Sequence, residues 1–202
     1  KFTHVPPGNG AFIVRNSWGS DWGDDGYFYV SYYDSQMGKN VNTVFTAENT
    51  NNYKNIYQYD PLGWIGDYGY TPTGWCANIF TAKSDEILKA VSFYTTDSNC
   101  KYEIYVSTDD ASSSTINKAG AVISKSGTSS YAGYHTIPLD SEVQLKAGQQ
   151  FAVILKLTTT GYNHPIAIEY PVSGYSSKAT ANAGESFVSS DGQTWTDMAT
   201  IY

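Results

Sequence analysis

Short runs of alternating hydrophobic and polar residues, separated by glycine-rich or polar turns, cover most of this 202-residue chain. A period of two along a run is typical of a β-strand with one buried face. In the first part of the chain this pattern predicts strands over residues 11–15, 27–33 and 41–48. From Ile56 onward strand and turn repeat, and the further predicted strands cover residues 75–82, 88–95, 101–107, 121–124, 134–139, 151–157 and 166–170.

This repeat predicts a mainly β protein whose second part is an antiparallel β-sandwich or barrel. The run Phe-Ala-Val-Ile-Leu at 151–155 is apolar throughout, which favours a central strand buried on both faces. Near the end of the chain, Asp191-Gly192 between strand formers is a β-hairpin signal. The polar stretch 49–52 favours a turn, so we expect a domain boundary there, with domains at residues 1–50 and 51–202.

Charge and hydropathy narrow the classes of partner. The chain has 19 acidic and 12 basic side chains, and its formal net charge of −7 repels nucleic acid and anionic membranes, so neither is an expected partner. No apolar run approaches the roughly 20 residues that span a bilayer, so no membrane span is predicted. Because the chain starts at Lys1 without a secretion signal, we expect it to begin inside a longer gene product or after a removed segment.

The two cysteines, Cys76 and Cys100, have neither Cys-x-x-Cys spacing nor a histidine cluster beside them. A zinc site is therefore not expected, and no metal or other cofactor is predicted. Two alternatives stay open for the pair, a disulfide or two separate buried thiols. Sequence spacing does not choose between them, because bridging depends on the distance between the two Cα atoms.

A specific motif follows the first predicted strand. Residues 16–19 read Asn-Ser-Trp-Gly, residues 22–23 read Trp-Gly and residues 26–27 read Gly-Tyr, with a strand on either side. This order resembles the asparagine segment of papain-family cysteine peptidases. The resemblance implies hydrolysis of a protein or peptide by a Cys-His-Asn triad, in which Asn16 orients the histidine.

The same resemblance implies roles for the two tryptophans of the motif. Trp18 would cover the hydrogen bond between the asparagine and the histidine, and Trp22 would help to wall the leaving-group side of the cleft. The alternative is that both tryptophans are ordinary core residues. A thiol becomes a strong nucleophile as a thiolate stabilised by a neighbouring imidazolium, so Asn16 has this role only beside a histidine and a cysteine.

In papain-like enzymes the catalytic cysteine and histidine precede the asparagine segment, and this chain has neither position. His4 is followed by two prolines, which do not fit inside a paired strand. Cys76 lies in a predicted strand instead of at a helix N-terminus, and His135 and His164 have no acidic or cysteine neighbour in sequence. We expect the chain to be inactive alone and to require an N-terminal catalytic portion bearing both residues, as a separate chain cleaved in the loop 2–10.

Several motifs of the second part belong together. They are the tyrosine-rich stretch 57–70, Gly-Trp-Cys-Ala-Asn at 74–78, Leu-Lys-Ala-Gly at 145–148 and Ser-Asp-Gly at 190–192. With them, residues 56–202 resemble the lectin-like, jelly-roll β-sandwich that follows papain-like catalytic domains in some bacterial and archaeal surface or secreted peptidases. The resemblance implies an extracellular or cell-surface protein.

Sugar recognition needs exposed aromatic rings with polar groups beside them. Five candidate ligand-binding aromatic residues are interleaved with Asp60 and Asp67: Tyr57, Tyr59, Trp64, Tyr68 and Tyr70. The alternative is that these rings pack one domain on another. The predicted function is the C-terminal portion of a papain-like cysteine peptidase with a lectin-like module, and the alternative is a non-catalytic module that binds a glycan or a cell surface.

Overall fold

A computed structural model describes residues 4–39, 42–108, 116 and 120–201. The chain divides into two compact units, Lys1–Asn52 and Tyr53–Tyr202. Both consist of strands and turns, and the described residues contain one short 3-10 helix, Met198–Thr200. The predicted mainly β fold is therefore confirmed.

The first unit is built on one antiparallel hairpin. Strand β1, Ala11–Arg15, pairs with β2, Tyr27–Ser31, in the register Ala11↔Ser31 to Arg15↔Tyr27. The third strand predicted over 41–48 is wrong, since residues 42–48 form no strand. In the described part of this unit, β1 and β2 pair with each other and no strand pairs with residues 42–48. An extended segment without a neighbouring strand gains no ladder hydrogen bonds.

The described residues of the second unit form three antiparallel sheets. A six-stranded sheet has the order β12-β11-β4-β9-β6-β7, β5 pairs with β8, and β3 pairs with β10. The strands are β3 Gly66–Tyr68, β4 Thr73–Thr81, β5 Glu86–Thr95, β6 Cys100–Ser107, β7 Ile123–Ser129, β8 Gly133–Leu145, β9 Gln150–Thr158, β10 Ile166–Ile168, β11 Ser186–Ser189 and β12 Thr196–Asp197.

The main core joins the six-stranded sheet to the β5–β8 pair. Phe151, Ile104 and Leu157 of the larger sheet belong to one buried cluster with Val91 and Phe93 of β5. On the other face of the larger sheet, a second buried cluster contains Trp75, Ala77, Ile154, Phe187 and Ile116. Strand β9 lies between β4 and β6 and supplies residues to both clusters, which confirms the predicted central strand with two buried faces.

The Asp191-Gly192 turn connects β11 to β12, which pair antiparallel. One carboxylate oxygen of Asp191 accepts the backbone N–H groups of Gln193 and Thr194, each at 2.8 Å, and the Ser189 hydroxyl at 2.9 Å. These donors stabilise the charged carboxylate and lower the pKa of Asp191 to about 2. Asp191 is therefore engaged in holding the turn.

Candidate functional site

Asn16 comes directly after β1, at the start of the loop that joins the two strands of the hairpin. Its backbone N–H donates to the carbonyl of Gly26 at 2.8 Å, which closes the loop at its base. Its side-chain oxygen accepts the N–H of Ser17 at 2.7 Å. Because an amide oxygen has two lone pairs, this contact leaves one for a further donor.

Glycine conformation explains part of the motif. Gly23 has φ +67°, and a Cβ built on it would lie 2.5 Å from the carbonyl oxygen of Tyr27. Asp24 and Tyr27 exchange backbone hydrogen bonds of 2.9 Å in both directions, so the loop turns tightly before β2. The tight turn explains why the motif has glycine at this position.

The aromatic residues of the loop pack in a row. The Trp18 and Trp22 rings meet edge to face at 5.1 Å, and Trp22 meets Phe28 of β2 in the same way at 5.5 Å. Trp22 is partly buried in the middle of the row, whereas Trp18 at its end is 70% exposed. The interpretation of both tryptophans as core residues does not describe Trp18, whose ring offers a free apolar surface next to Asn16 in sequence.

The loop also encloses a shallow cavity of about 290 Å³. Asn16 lines it together with Arg15, Ser17 and Asp25. The cavity combines an amide, a hydroxyl and charges of both signs, so its wall is polar.

The three histidines do not form a cysteine–histidine pair with the described thiols. His4 is exposed and lies outside the strands. The Nε2 atom of His135 on β8 lies 2.9 Å from the Thr95 hydroxyl and 3.0 Å from the Ser129 hydroxyl. His164 is exposed, and its backbone carbonyl accepts the hydroxyl of Thr96 at 3.1 Å. The partners of His135 are thus hydroxyl groups, as in a structural histidine.

Cys76 and Cys100 are both free thiols, on β4 and β6 respectively. Of the two alternatives for this pair, the structure contains the separate thiols and not the disulfide. Burial raises the pKa of Cys76 to about 12 and also raises the pKa of Cys100. Both thiols stay protonated near neutral pH, which is the opposite of what a nucleophile requires.

We expect a reducing agent to leave the melting temperature of this chain unchanged, because reduction has no cross-link to open. A thiol-specific dye should react slowly with the native protein and should report two thiols after unfolding in denaturant. A fall in melting temperature on reduction, or a dye count of zero in denaturant, would show that the cysteines are bridged after all.

The five candidate aromatic residues of the second unit fall into different environments. Tyr57 donates to the Glu86 carboxylate, and its ring meets Phe151 edge to face at 5.4 Å. Tyr59 stacks on Phe80 at 4.8 Å and donates to the carbonyl of Ile79 at 2.6 Å. Both rings border the main core of the second unit, where they pack against residues of the same unit and do not form an exposed sugar platform.

The other three aromatic residues of that stretch lie elsewhere. Tyr68 and Tyr70 meet edge to face at 5.8 Å beside the buried cluster that contains Ile166 and Val188. Trp64 is 37% exposed and lies against Tyr94, with ring centroids 6.2 Å apart. Tyr94 pairs in turn with Tyr134 of β8, and neither tyrosine is among the candidates predicted from the sequence.

Within the described residues, no group of three or more histidine, cysteine or acidic side chains is arranged to hold a metal ion. In the same part of the chain, no helix has the length and apolar character required to cross a bilayer.

The fold and the loop thus define two kinds of segment, a papain-type hairpin and an antiparallel β-sandwich. Comparison with known families agrees. The chain belongs to the lectin-like domain family, whose model matches residues 56–202. The model of the papain family cysteine proteases matches residues 4–47. Both resemblances drawn from the sequence are therefore confirmed.

Individual relatives cover different parts of the chain. Cysteine proteinase 3 of Solanum lycopersicum is 45% identical over 43 residues, which is 21% of this chain and 11% of that protein. The structure of the clostridial cysteine protease Cwp84 after propeptide cleavage is 27% identical, with a TM-score of 0.75, and the match covers 96% of this chain and 48% of that one.

A second solved structure contains the cysteine protease and lectin-like domains of Cwp84, a surface layer associated protein of Clostridium difficile. It is 26% identical, with a TM-score of 0.69, and the match covers 96% of this chain and 43% of that one. The chain therefore spans about half the length of these solved structures or less, and it combines a papain-family segment with a lectin-like domain as they do.

Proposed function

We propose that this chain is the C-terminal portion of a papain-like cysteine peptidase in which Asn16 orients the catalytic histidine. The observation that carries the proposal is the loop after β1. The Asn16 amide oxygen keeps one lone pair for a further donor and lines a polar cavity, and the ring of Trp18, two residues on, is largely exposed. The catalytic cysteine and histidine belong to an N-terminal catalytic portion that assembles on the first unit.

The chemistry assigns a distinct task to each residue of the loop. The imidazolium stabilises the thiolate, and the thiolate attacks the peptide carbonyl. The Asn16 oxygen accepts the imidazole ring N–H and so holds the tautomer and the ring plane without adding a full charge. The Trp18 ring excludes water from this hydrogen bond, and Trp22 supports Trp18 and the wall of the cleft.

The surface of the first unit supports the partner in this proposal. A single two-stranded hairpin is marginally stable in water by itself, and the first unit, which is built on one, exposes large apolar side chains. The exposed set includes Phe12, Ile13, Tyr29, Tyr32, Val44 and Phe45. A catalytic portion packed on these side chains would bury them, whether it is continuous with this chain or is a separate cleaved chain.

The relatives suggest a location and a substrate class. One solved relative is described as a surface layer associated protein, so we place this peptidase outside the cell or on the cell surface. Its substrate would be a protein or a peptide, in keeping with the papain-family segment. The lectin-like unit would attach the enzyme to a glycan or to a cell-surface partner.

The test uses the intact protein that contains both portions. We expect it to hydrolyse a fluorogenic peptide and to lose this activity after alkylation with iodoacetamide, because the attacking group is a thiolate. The control is the double variant Cys76→Ala and Cys100→Ala, which should keep both the activity and its sensitivity to iodoacetamide. An intact protein without hydrolysis, or a double variant that resists iodoacetamide, would contradict the proposal.

A further inference from the structure

A row of aromatic rings lies on the outward face of the β5–β8 sheet. Tyr94 of β5 is paired directly with Tyr134 of β8, and their ring centroids are 4.8 Å apart. The indole of Trp64 also lies against Tyr94, with ring centroids 6.2 Å apart. We call Trp64, Tyr94 and Tyr134 the aromatic strip.

The rings of the aromatic strip are not part of the buried core. The residues on either side of Tyr94 in sequence, Phe93 and Thr95, are buried, so alternation along β5 directs Tyr94 away from the core. Tyr134 is 58% exposed and Trp64 is also exposed. Adjacent aromatic rings that remain in contact with water are typical of a binding surface.

Polar groups lie next to the rings on the same face. Ser92 and Thr136 form an outward-facing pair further along β5 and β8, with their hydroxyl oxygens 3.0 Å apart. At the other end, the Asp67 carboxylate accepts the indole N–H of Trp64 and the hydroxyl of Tyr162. The face therefore offers apolar ring surfaces together with hydroxyl and carboxylate groups, which is the mixture that a sugar ring requires.

Charge around the aromatic strip selects among sugars. The loop that carries Trp64 is held by two carboxylates. Asp67 accepts from Trp64 itself, and Glu169 accepts the backbone N–H groups of Leu62 at 2.6 Å and Gly63 at 3.2 Å. Two fixed negative charges beside the strip repel an acidic polysaccharide and leave uncharged sugars unaffected.

We propose that the aromatic strip binds an oligosaccharide of uncharged hexopyranose units. Apolar sugar faces stack on the exposed rings of Trp64 and Tyr134, while sugar hydroxyls hydrogen-bond to Ser92, Thr136 and Asp67. Three neighbouring rings offer more stacking surface than one sugar covers, which favours an oligosaccharide over a single sugar. The proposal rests on the glycan attachment proposed above for the second unit and is independent of the proposed peptidase reaction.

The test is calorimetric titration of the full chain with two uncharged hexasaccharides, cellohexaose and chitohexaose, and with a hyaluronan hexasaccharide as the anionic comparison. We expect at least one uncharged hexasaccharide to bind with a Kd of about 1 mM or tighter. Hyaluronan should bind more weakly than that ligand. Trp64→Ala and Tyr134→Ala should each weaken binding roughly tenfold, because each removes one stacking surface.

The matched control is Tyr175→Ala, which removes a tyrosine outside the aromatic strip that is more exposed, at 79%, than Tyr134 is. It should bind as the unaltered chain does, and all variants should keep the unaltered melting temperature within a few degrees. Absence of binding to both uncharged hexasaccharides would overturn the proposal. Unchanged sugar affinity in both strip variants would also overturn it. So would strip variants that bind sugar normally and fail only to associate with the catalytic portion.

Discussion

Replacing Asn16 by alanine in the intact peptidase should lower kcat roughly 10- to 10⁴-fold, the range seen when a residue that orients the catalytic histidine is removed. The physical reason is that the imidazole loses the acceptor that holds its ring plane and tautomer. The fold should survive, because the hydrogen bond from Asn16 to the Gly26 carbonyl uses the backbone N–H and remains in the variant. Steady-state kinetics with a fluorogenic peptide measures the effect, and circular dichroism checks the fold.

A second substitution separates positioning from a merely structural role. Asn16→Asp keeps the acceptor but adds a negative charge, which favours the imidazolium and raises the pKa of the histidine. The alkaline limb of the pH–rate profile reports loss of the imidazolium, so it should move to higher pH.

Gln36→Ala is the control in the same unit, since its exposed side chain lies outside the lining of the cavity and its hydrogen bonds to Asp34 and Lys39 use backbone atoms. It should leave both kcat and the pH profile as they are. Unchanged kcat in Asn16→Ala, together with an unshifted profile in Asn16→Asp, would remove Asn16 from the mechanism.

The second large effect concerns stability. Gly192→Ala should lower the free energy of unfolding of the second unit by about 2–5 kcal/mol. Gly192 has φ +69°, and a Cβ there would lie 2.8 Å from two ring atoms of Trp75. Trp75 is buried within the second cluster, so its ring cannot turn aside without disturbing Ile154 and Phe187.

Gly148→Ala is the matched control for backbone strain. Gly148 also has a left-handed conformation, φ +80°, but a Cβ there would meet nothing within 4 Å. Its cost should be the conformational cost alone, about 1–2 kcal/mol. Urea unfolding of both variants gives the comparison, and equal losses at the two positions would show that contact with Trp75 contributes nothing.

Local sequence determined those parts of the fold that depend on neighbouring residues. The alternation at 11–15 and the apolar run at 151–155 are contiguous, and β1 and β9 lie where these patterns predict them. The short strand β3, three residues long, was not predicted, because so few residues carry no measurable period. The prediction of a strand over 41–48 is wrong for a different reason. A local pattern of alternating residues does not show whether a second strand is available to pair with it.

The same distinction applies to the sites. The papain-type motif is one continuous loop, so its order of residues alone predicts Asn16, Trp18 and Trp22 as candidate site residues. The state of Cys76 and Cys100 depended on a distance across the sheet, and alternation did not supply that distance.

Sequence therefore determined the mainly β class, the two family resemblances and the asparagine loop, because each is written in contiguous residues. Tertiary structure alone assigned Tyr57 and Tyr59 to the core border, left the two thiols unbridged and brought Tyr94 to Tyr134. The pairing of β5 with β8 joins residues that are distant in the chain, across a register that shifts between Leu88 and Ala90. Such a register is set by packing of the whole sheet on its core, and no local pattern contains it.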